Sequence, residues 1–239
     1  MKTHMEVSTL SARPIETLEA LADLVKVSPR FKFLEDELVG RLFRSGCILK
    51  GHFRLQSLQH SDVFLRFRTF ASNPENLSWV ANHLAQALRQ NGDRFDVIVA
   101  PDTAGGLLAD AIAEAANLSS SSLTLKTDLD NRVTTSFVGD SVRNGDRALL
   151  VNDILTTGEG VHTARTAVEQ AGGEVVSLAL FANRAADPFT TKASGPFPAM
   201  WLFTLDVKNY GEPWSSRNAD QCPECLKENN DFLEARLLN

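Results

Sequence analysis

The chain has 239 residues, a net charge of −6 at pH 7 and a pI near 5.4, which argue against general binding to nucleic acid or an anionic membrane surface. Hydrophobic residues make up 43% of the chain, enough for the core of one sizeable domain. No apolar run has the length of a membrane span, the N-terminus lacks the apolar stretch of a secretory signal, and 3 cysteines are too few for a disulfide framework. We therefore expect a cytoplasmic protein that binds neither membranes nor nucleic acid.

The first third of the chain predicts helices and a pair of strands. Residues 16–25 and 34–45 have helical apolar spacing and are separated by a proline-containing break. Residues 48–57 and 61–70 predict two strands around a turn at 58–60. Residues 71–93 begin with turn residues and continue as an amphipathic helix that ends near Asn91 and Gly92.

From residue 94 onward, predicted strands and helices alternate regularly. The strands are 94–101, 121–126, 147–153 and 174–184, and helices are expected at 105–118 and 160–173. Residues 198–205 predict an edge strand, and residues 231–238 a short terminal helix. Alternation of this kind is typical of βαβ units with right-handed crossovers, so we expect an α/β fold with a parallel sheet.

The stretch RALLVNDILTTGEG, residues 147–160, is the strongest candidate for a binding site. An apolar strand ends in Asn152 and Asp153, and a turn formed by Thr156, Thr157 and Gly158 leads into a helix. Hydroxyls, backbone N–H groups and a helix N-terminus suit a phosphate, while the amide and the carboxylate suit sugar hydroxyls. An isolated Thr-Thr-Gly turn is more often an ordinary polar turn and helix cap than a binding site, so the longer string carries the interpretation.

The complete string resembles the phosphoribosyl pyrophosphate signature of type I phosphoribosyltransferases: a hydrophobic strand, two acidic residues, a variable pair and Thr-Thr-Gly. The sequence contains neither a Gly-x-Gly-x-x-Gly loop after a strand nor a Walker-type phosphate loop. The resemblance implies a central, mostly parallel sheet flanked by helices, with a small N-terminal hood. It further implies three parts: helices and hood at 1–70, an α/β core at 71–210 and a tail at 211–239.

Four other stretches make the chain most similar to bacterial orotate phosphoribosyltransferases. PDTAGG resembles the loop that cradles pyrophosphate, and FANRAADP the place where these enzymes carry an arginine after a strand. The string that starts at Phe53 resembles their hood, with Ser57, Ser61 and Phe64 matching and Leu58 replacing a glycine. The CPEC tail resembles the Cys-Pro-x-Cys ending of one bacterial branch.

The resemblance implies a homodimeric, Mg²⁺-dependent transferase that joins a pyrimidine base, orotate, to phosphoribosyl pyrophosphate. The Mg²⁺ ion would be held mainly by the substrate, with no direct protein ligand. Lys126 would close over the pyrophosphate, with a second loop cation supplied by the neighbouring subunit of the dimer. Phe64 and Arg184 would contact the base. Asn152 and Asp153 would bind the ribose, and Asp153 would also be catalytic. The 5′-phosphate would be bound by Thr156, Thr157 and Gly158. Pyrophosphate would be bound by Asp102, Thr103, Ala104, Gly105 and Gly106.

The sequence departs from the family pattern at three places. Asn152 stands where an acid is usual, and Asn183 precedes Arg184 where an aspartate is common. The loop that should neutralise the leaving pyrophosphate contains only Lys126 and Arg132 as cations. Two alternatives therefore stay open: a non-catalytic sensor of phosphoribosyl pyrophosphate or nucleotide, and a transferase for a different base.

Cys222 and Cys225 have the spacing of half a zinc site. The sequence has no second cysteine pair, and Cys47 lies far away along the chain. We therefore predict a structural or incidental role for the CPEC tail. His52, His60 and His162 are scattered, and the sequence assigns them no function.

Overall fold

The structure, a computed structural model, describes residues 12–117, 122–129, 132–185, 195, 197–227 and 233–234. The strands in these ranges are β1 (Arg13–Pro14), β2 (Val25–Val27), β3 (Ile48–Arg54), β4 (His60–Leu65), β5 (Val97–Ala100), β6 (Leu123–Thr127), β7 (Val133–Phe137), β8 (Arg147–Leu155), β9 (Glu174–Asn183), β10 (Ala199–Leu205) and β11 (Leu233–Glu234). The helices are α1 (Leu18–Leu24), α2 (Glu35–Ser45), α3 (Phe67–Ala71), α4 (Pro74–Asn91), α5 (Thr103–Ala115), α6 (Glu159–Gln170) and α7 (Pro223–Lys227), with 3-10 turns at Pro29–Leu34 and Asn218–Gln221.

Seven strands form the main sheet in the order β2-β10-β9-β8-β5-β6-β7. The five central strands pair in parallel, and β2 and β7 add antiparallel edges. The sequence prediction of an α/β fold with a mostly parallel sheet is thus confirmed. Since parallel strands end at the same edge, the polar residues that follow β5 and β8 come together there.

Helices cover both faces of the main sheet, and alternate residues of each strand point to opposite faces. On one face, Leu149 and Val151 of β8 pack with α4 and α5; on the other, Ala148 and Leu150 pack with α6. This explains the continuous apolar run of β8, whose residues 148–152 are buried. Within the described ranges, no helix is both long enough and apolar enough to cross a membrane.

A second, smaller sheet forms the hood. The hairpin of β3 and β4 is its centre, and β3 also pairs with β1 and with β11. Leu49, Phe53, Leu55 and Phe64 pack into a small apolar cluster in this sheet. The hood therefore combines the beginning of the described chain with its end, whereas β2, also from the first 70 residues, joins the main sheet.

The structure corrects four expected elements. Residues 67–71 form the helix α3 and not the end of a strand, and β10 is not an edge strand because β2 pairs with it on the outside. The polar stretch after β6 continues into β7, which makes a hairpin. Leu233 and Glu234 are in a strand beside β3 and not in the expected helix, whose other residues lie outside the described ranges.

Candidate active site

A cavity of about 540 Å³ lies where β5 and β8 end and the hood begins. This is the position at which open α/β sheets bind ligands, because loops and helix N-termini converge there. The sequence-predicted site residues that line it are Phe64, Asp102, Ala104, Asn152, Asp153, Thr156, Thr157, Gly158 and Arg184. Thr103, Gly105, Gly106 and Lys126 are not part of its wall.

The Thr-Thr-Gly turn leads directly from β8 into α6. Gly158 is the N-cap residue of α6 and has a φ of 79°, in the left-handed region that glycine adopts without strain. Having no side chain, Gly158 leaves the positive end of the helix open to the cavity, and the Thr157 hydroxyl accepts a long bond of 3.4 Å from Glu159 N. This geometry suits an anion such as a phosphate group.

Asn152 and Asp153 lie together at the end of β8. The Asn152 side chain folds back on its own strand: Oδ1 accepts from Asp153 N at 2.9 Å and Nδ2 donates to Ile154 O at 3.2 Å. Asp153 Oδ1 accepts from Ile154 N at 2.8 Å. Burial, together with the nearby charge of Asp102, raises the pKa of Asp153 to about 7. The two carboxylates thus share a site that favours a neighbouring cation.

The expected pyrophosphate turn is also the start of α5. Asp102 is the N-cap residue, and its Oδ1 accepts from Ala104 N and Gly105 N, both at 2.9 Å. In this conformation the aspartate itself occupies the N–H groups that were expected to hold pyrophosphate. A Cβ on Gly105 would lie 3.2 Å from Asn152 Oδ1, so this glycine allows α5 to approach the end of β8 closely.

Arg184 lies on the cavity wall next to the hood hairpin. Its side chain is buried, with Nε donating to Asn209 Oδ1 at 3.1 Å and Nη2 donating to Val63 O at 2.8 Å and to the Ser61 hydroxyl. Burial lowers the pKa of Arg184 to about 10, which still leaves the guanidinium charged at neutral pH. The hood residue Phe64 lines the same side and packs against Phe53, with ring centroids 5.5 Å apart.

The hood turn contains the Leu58 that replaces a glycine. Leu58 has a φ of 64°, a left-handed conformation that costs a residue with a side chain about 1 kcal/mol. Its N–H donates to Leu55 O at 2.9 Å, and its carbonyl accepts from Asn218 Nδ2 at 2.8 Å. Hydrogen bonds from the C-terminal segment therefore hold a turn that the family pattern assigns to glycine.

Arg68, Arg132 and Trp214 lie in this region, although the sequence assigned none of them an individual role. Arg68 of α3 donates to the Thr103 hydroxyl, and its charge partly offsets the raised pKa of Asp153. Arg132 lines the cavity with its guanidinium 5.3 Å from the ring centroid of Trp214, which also lines it. Lys126 is exposed on β6, outside the cavity wall. A single sequence contained no signal for Arg68, since its segment was predicted as strand.

Comparison with known proteins agrees with this geometry. The family model described as "Phosphoribosyl transferase domain" matches residues 72–194, about half of the chain. The chain is 33% identical to an orotate phosphoribosyltransferase of Campylobacter curvus over 145 residues, 60% of this chain and 70% of the relative. It is 30% identical to that of Thermus thermophilus over 182 residues, 76% of this chain and 91% of the relative.

The fold is similar to solved structures as well. The crystal structure of orotate phosphoribosyltransferase from Aeropyrum pernix superposes with a TM-score of 0.55 at 20% identity, covering 70% of this chain and 93% of that one. The parallel sheet, the strand-end cavity and the Thr-Thr-Gly turn at an open helix N-terminus lie inside or beside the matched region. The chain therefore belongs to the type I phosphoribosyltransferase family.

Proposed function

We propose that this phosphoribosyltransferase acts on orotate, producing orotidine monophosphate and pyrophosphate. The observation that carries the proposal is Arg184, a buried guanidinium on the wall of the cavity beside Phe64. Its Nε and Nη2 are held by Asn209, Ser61 and Val63, which orients the group before a ligand arrives. A charge of this kind matches a carboxylate on the base, a group that orotate has and uracil lacks.

The other parts of the cavity provide for the second substrate. Asn152 and Asp153 would bind the ribose hydroxyls, and Thr156 to Gly158 the 5′-phosphate at the open N-terminus of α6. The base nitrogen would attack C1′ as the bond to pyrophosphate breaks, with inversion at that carbon. The carboxylate of Asp153 would stabilise the positive charge that develops on the ribose.

The oxygen donors at the end of β8 fit the Mg²⁺ that the family uses. Asp102, the N-cap residue of α5, lies close enough to Asp153 for its charge to raise the pKa of Asp153, and a divalent cation held nearby by the substrate would relieve this repulsion. When bound with phosphoribosyl pyrophosphate, Mg²⁺ would neutralise the leaving group. The protein residues would hold the substrate that carries it.

The test is loss of orotate absorbance with purified protein, Mg²⁺ and phosphoribosyl pyrophosphate, at protein concentrations that reveal slow turnover. Loss that depends on all three components supports the proposal. Binding of phosphoribosyl pyrophosphate without orotate consumption contradicts it, and a panel of bases then identifies the substrate. Uracil is the matched control, because it differs from orotate in lacking the carboxylate.

Changing Arg184 to Ala tests the role of the guanidinium. We expect kcat/KM for orotate to fall about 10²-fold, since a charged hydrogen-bonding partner of the base is lost. Affinity for phosphoribosyl pyrophosphate, measured by calorimetry, should change little. Ser61→Ala is the control, because it removes one support of Arg184 but keeps the charge. Unchanged orotate affinity in Arg184→Ala would exclude the carboxylate-binding role.

A second candidate function is a protein that binds phosphoribosyl pyrophosphate without transferring it. It is favoured by the amide of Asn152, which closes on its own strand end, and by the position of Lys126 outside the cavity. The substitution Asn152→Asp separates the two functions. In an enzyme, restoring the acid should change the rate or affinity modestly, measured by base consumption; a sensor should stay inert toward every base before and after the change.

A further inference from the structure

Four buried side chains converge in the hood, outside the wall of the active-site cavity. His52 belongs to β3, His60 begins β4, and Cys222 and Cys225 lie at the start of α7. One ligand atom from each lies within 4.8 Å of all the others. None of the four residues lines the cavity. The phosphoribosyltransferase chemistry described above therefore leaves this cluster without a role.

The separations within the cluster are those of a metal centre. His52 Nε2 lies 3.0 Å from His60 Nδ1, 3.3 Å from Cys222 Sγ and 3.4 Å from Cys225 Sγ, and Cys225 Sγ lies 3.2 Å from His60 Nδ1. In a tetrahedral zinc site with Zn–N near 2.0–2.1 Å and Zn–S near 2.3 Å, ligand atoms are about 3.3–3.8 Å apart. Small side-chain shifts would bring the four atoms to these values.

We propose that His52, His60, Cys222 and Cys225 bind one Zn²⁺ ion in a closed, structural site. Two imidazoles and two thiolates are a ligand set that zinc prefers, and four protein ligands leave no position for a substrate. All four side chains are at most 7% exposed, as expected for a structural site and not for a surface metal contact.

The tertiary structure identifies the two histidines that complete the site of the cysteine pair. The sequence predicted a structural or incidental role for the Cys-Pro-x-Cys pair because no second cysteine pair exists. Its partners are two histidines, which the antiparallel β3–β4 hairpin brings together although 170 residues separate Cys222 from His52. Besides the spacing of the two cysteines, the sequence offered only a pair of histidines on neighbouring hairpin strands, whose meeting depends on the correct register.

The site fastens the C-terminal segment, residues 206–221, to the hood hairpin. Hydrogen bonds already run between them: His60 and Tyr210 exchange two backbone bonds, Gln59 Nε2 donates to Gly211 O, and Trp214 N donates to Ser57 O. This segment contains Asn209, which holds Arg184, and Trp214, which lines the cavity. The ion would thus position the base side of the cavity without touching a substrate.

Metal content of the full-length protein is the direct test. The protein is purified without a histidine tag and dialysed, and zinc is measured by plasma mass spectrometry. We expect about one zinc per chain, lost in Cys222→Ser and Cys225→Ser but kept in Cys47→Ser and His162→Asn. The two control residues are a cysteine and a histidine outside the cluster.

Cobalt replacement keeps the proposal testable if the serine variants do not fold. Wild-type protein loaded with Co²⁺ should show intense visible bands of a tetrahedral ion together with thiolate charge-transfer absorption. Zinc below about a tenth of an equivalent together with no cobalt spectrum would overturn the proposal. So would stoichiometric iron or copper in place of zinc, or a Cys222–Cys225 disulfide found by mass spectrometry of unreduced protein.

The positioning role rests on the proposed function, whereas the metal content does not. In folded Cys225→Ser, KM for orotate should rise about tenfold while KM for phosphoribosyl pyrophosphate stays the same, because only the base side loses its support. An equal change in both constants would contradict the positioning role. One zinc per chain in a protein that does not consume orotate would support the site and refute the substrate, so the two proposals fail separately.

Discussion

Asp153 shows how a single residue links stability to the chemistry of the site. A free aspartate has a pKa of 3.8, whereas burial and the charge of Asp102 raise that of Asp153 to about 7. Between these values the folded protein binds more protons than the unfolded chain. The free energy of unfolding therefore falls as the pH rises from about 4 through 7, and the whole cost of the charge is present above pH 7.

Replacing Asp153 by Asn should accordingly stabilise the protein without ligands at high pH. The amide keeps an acceptor for Ile154 N but removes the repulsion with Asp102. We expect Tm to rise by about 3–8 °C at pH 8, with the gain shrinking toward pH 4. Differential scanning calorimetry across this range measures it, with the exposed Asp140→Asn as control. A gain that does not depend on pH would contradict the repulsion.

The hydrogen-bond partners of Arg184 come from distant parts of the chain, whereas those of Asn152 are its own neighbours on β8. Arg184 was expected at the base, and the structure supplies what the sequence lacked: Ser61 and Val63 from the hood and Asn209 from beyond β10. Asn152 seemed a weakened acid, yet its amide both donates and accepts at the end of β8. A carboxylate could not make the bond to Ile154 O, which gives the amide a structural reason.

At the scale of elements, the β6–β7 hairpin replaces the loop expected after β6. Its strands pair in antiparallel register, and Arg132 N donates to Asp128 Oδ1 at 2.9 Å near the turn. This pairing places Arg132 at the cavity next to Trp214, whereas Lys126 remains exposed. The hairpin thus presents a different cation from the one that the sequence favoured.

Arg132→Ala should lower kcat/KM about 10²-fold, because it removes a cation of the cavity wall that we expect to help neutralise the anionic substrates. Trp214→Ala should cost less, since it removes only the ring beside the guanidinium. Steady-state kinetics with the proposed substrates measures both effects. The control is Arg143→Ala, an exposed arginine that does not line the cavity. Equal losses in Arg132→Ala and Arg143→Ala would show a general charge effect and not a role in the cavity.

At the scale of the whole molecule, the role of Lys126 depends on whether the protein forms a dimer. The resemblance to the family predicts a homodimer in which a loop cation reaches the neighbouring active site, and an exposed Lys126 is compatible with that arrangement. The homodimer and the catalytic role of Lys126 both stay predictions. A single experiment can test them together.

Mixing the variants Lys126→Ala and Arg184→Ala is expected to restore activity. Each alone should be about 10²-fold slower than the wild type. If Lys126 acts across the interface, half of the randomly mixed dimers contain one intact site, so about a quarter of wild-type activity returns. A mixture of Arg184→Ala with Phe64→Ala, two residues of the same cavity wall, should restore none. No restoration in the first mixture would mean that Lys126 acts in its own subunit or not at all.

The architecture of the hood also belongs to this scale. Residues from the beginning of the described chain, β1, and from its end, β11, pair with the same strand β3. The 206–221 segment contributes Trp214 to the cavity wall, and it stabilises the left-handed Leu58 through Asn218. The base side of the site is therefore assembled from parts of the chain that are far apart in sequence.

The sequence by itself determined the central strands of the main sheet and the turn at which we expect the phosphate to bind. The period of apolar residues and the length of an apolar run are local properties of the sequence. The strands around Val99, Leu150 and Leu180 and the helix after Gly158 could therefore be predicted from short sequence windows. The Asn152–Gly158 string is contiguous, and a parallel sheet necessarily presents it at its carboxyl edge. The family resemblance depended on these contiguous residues.

Only the tertiary structure decided which distant side chains meet. The support of Arg184, the position of Arg132 and the four-residue His/Cys cluster depend on hairpin register and on how the C-terminal segment packs. Such contacts join residues that are up to 173 positions apart, and no local pattern encodes a separation of that length. Register decides them because a shift of one residue turns every side chain of a strand to the other face.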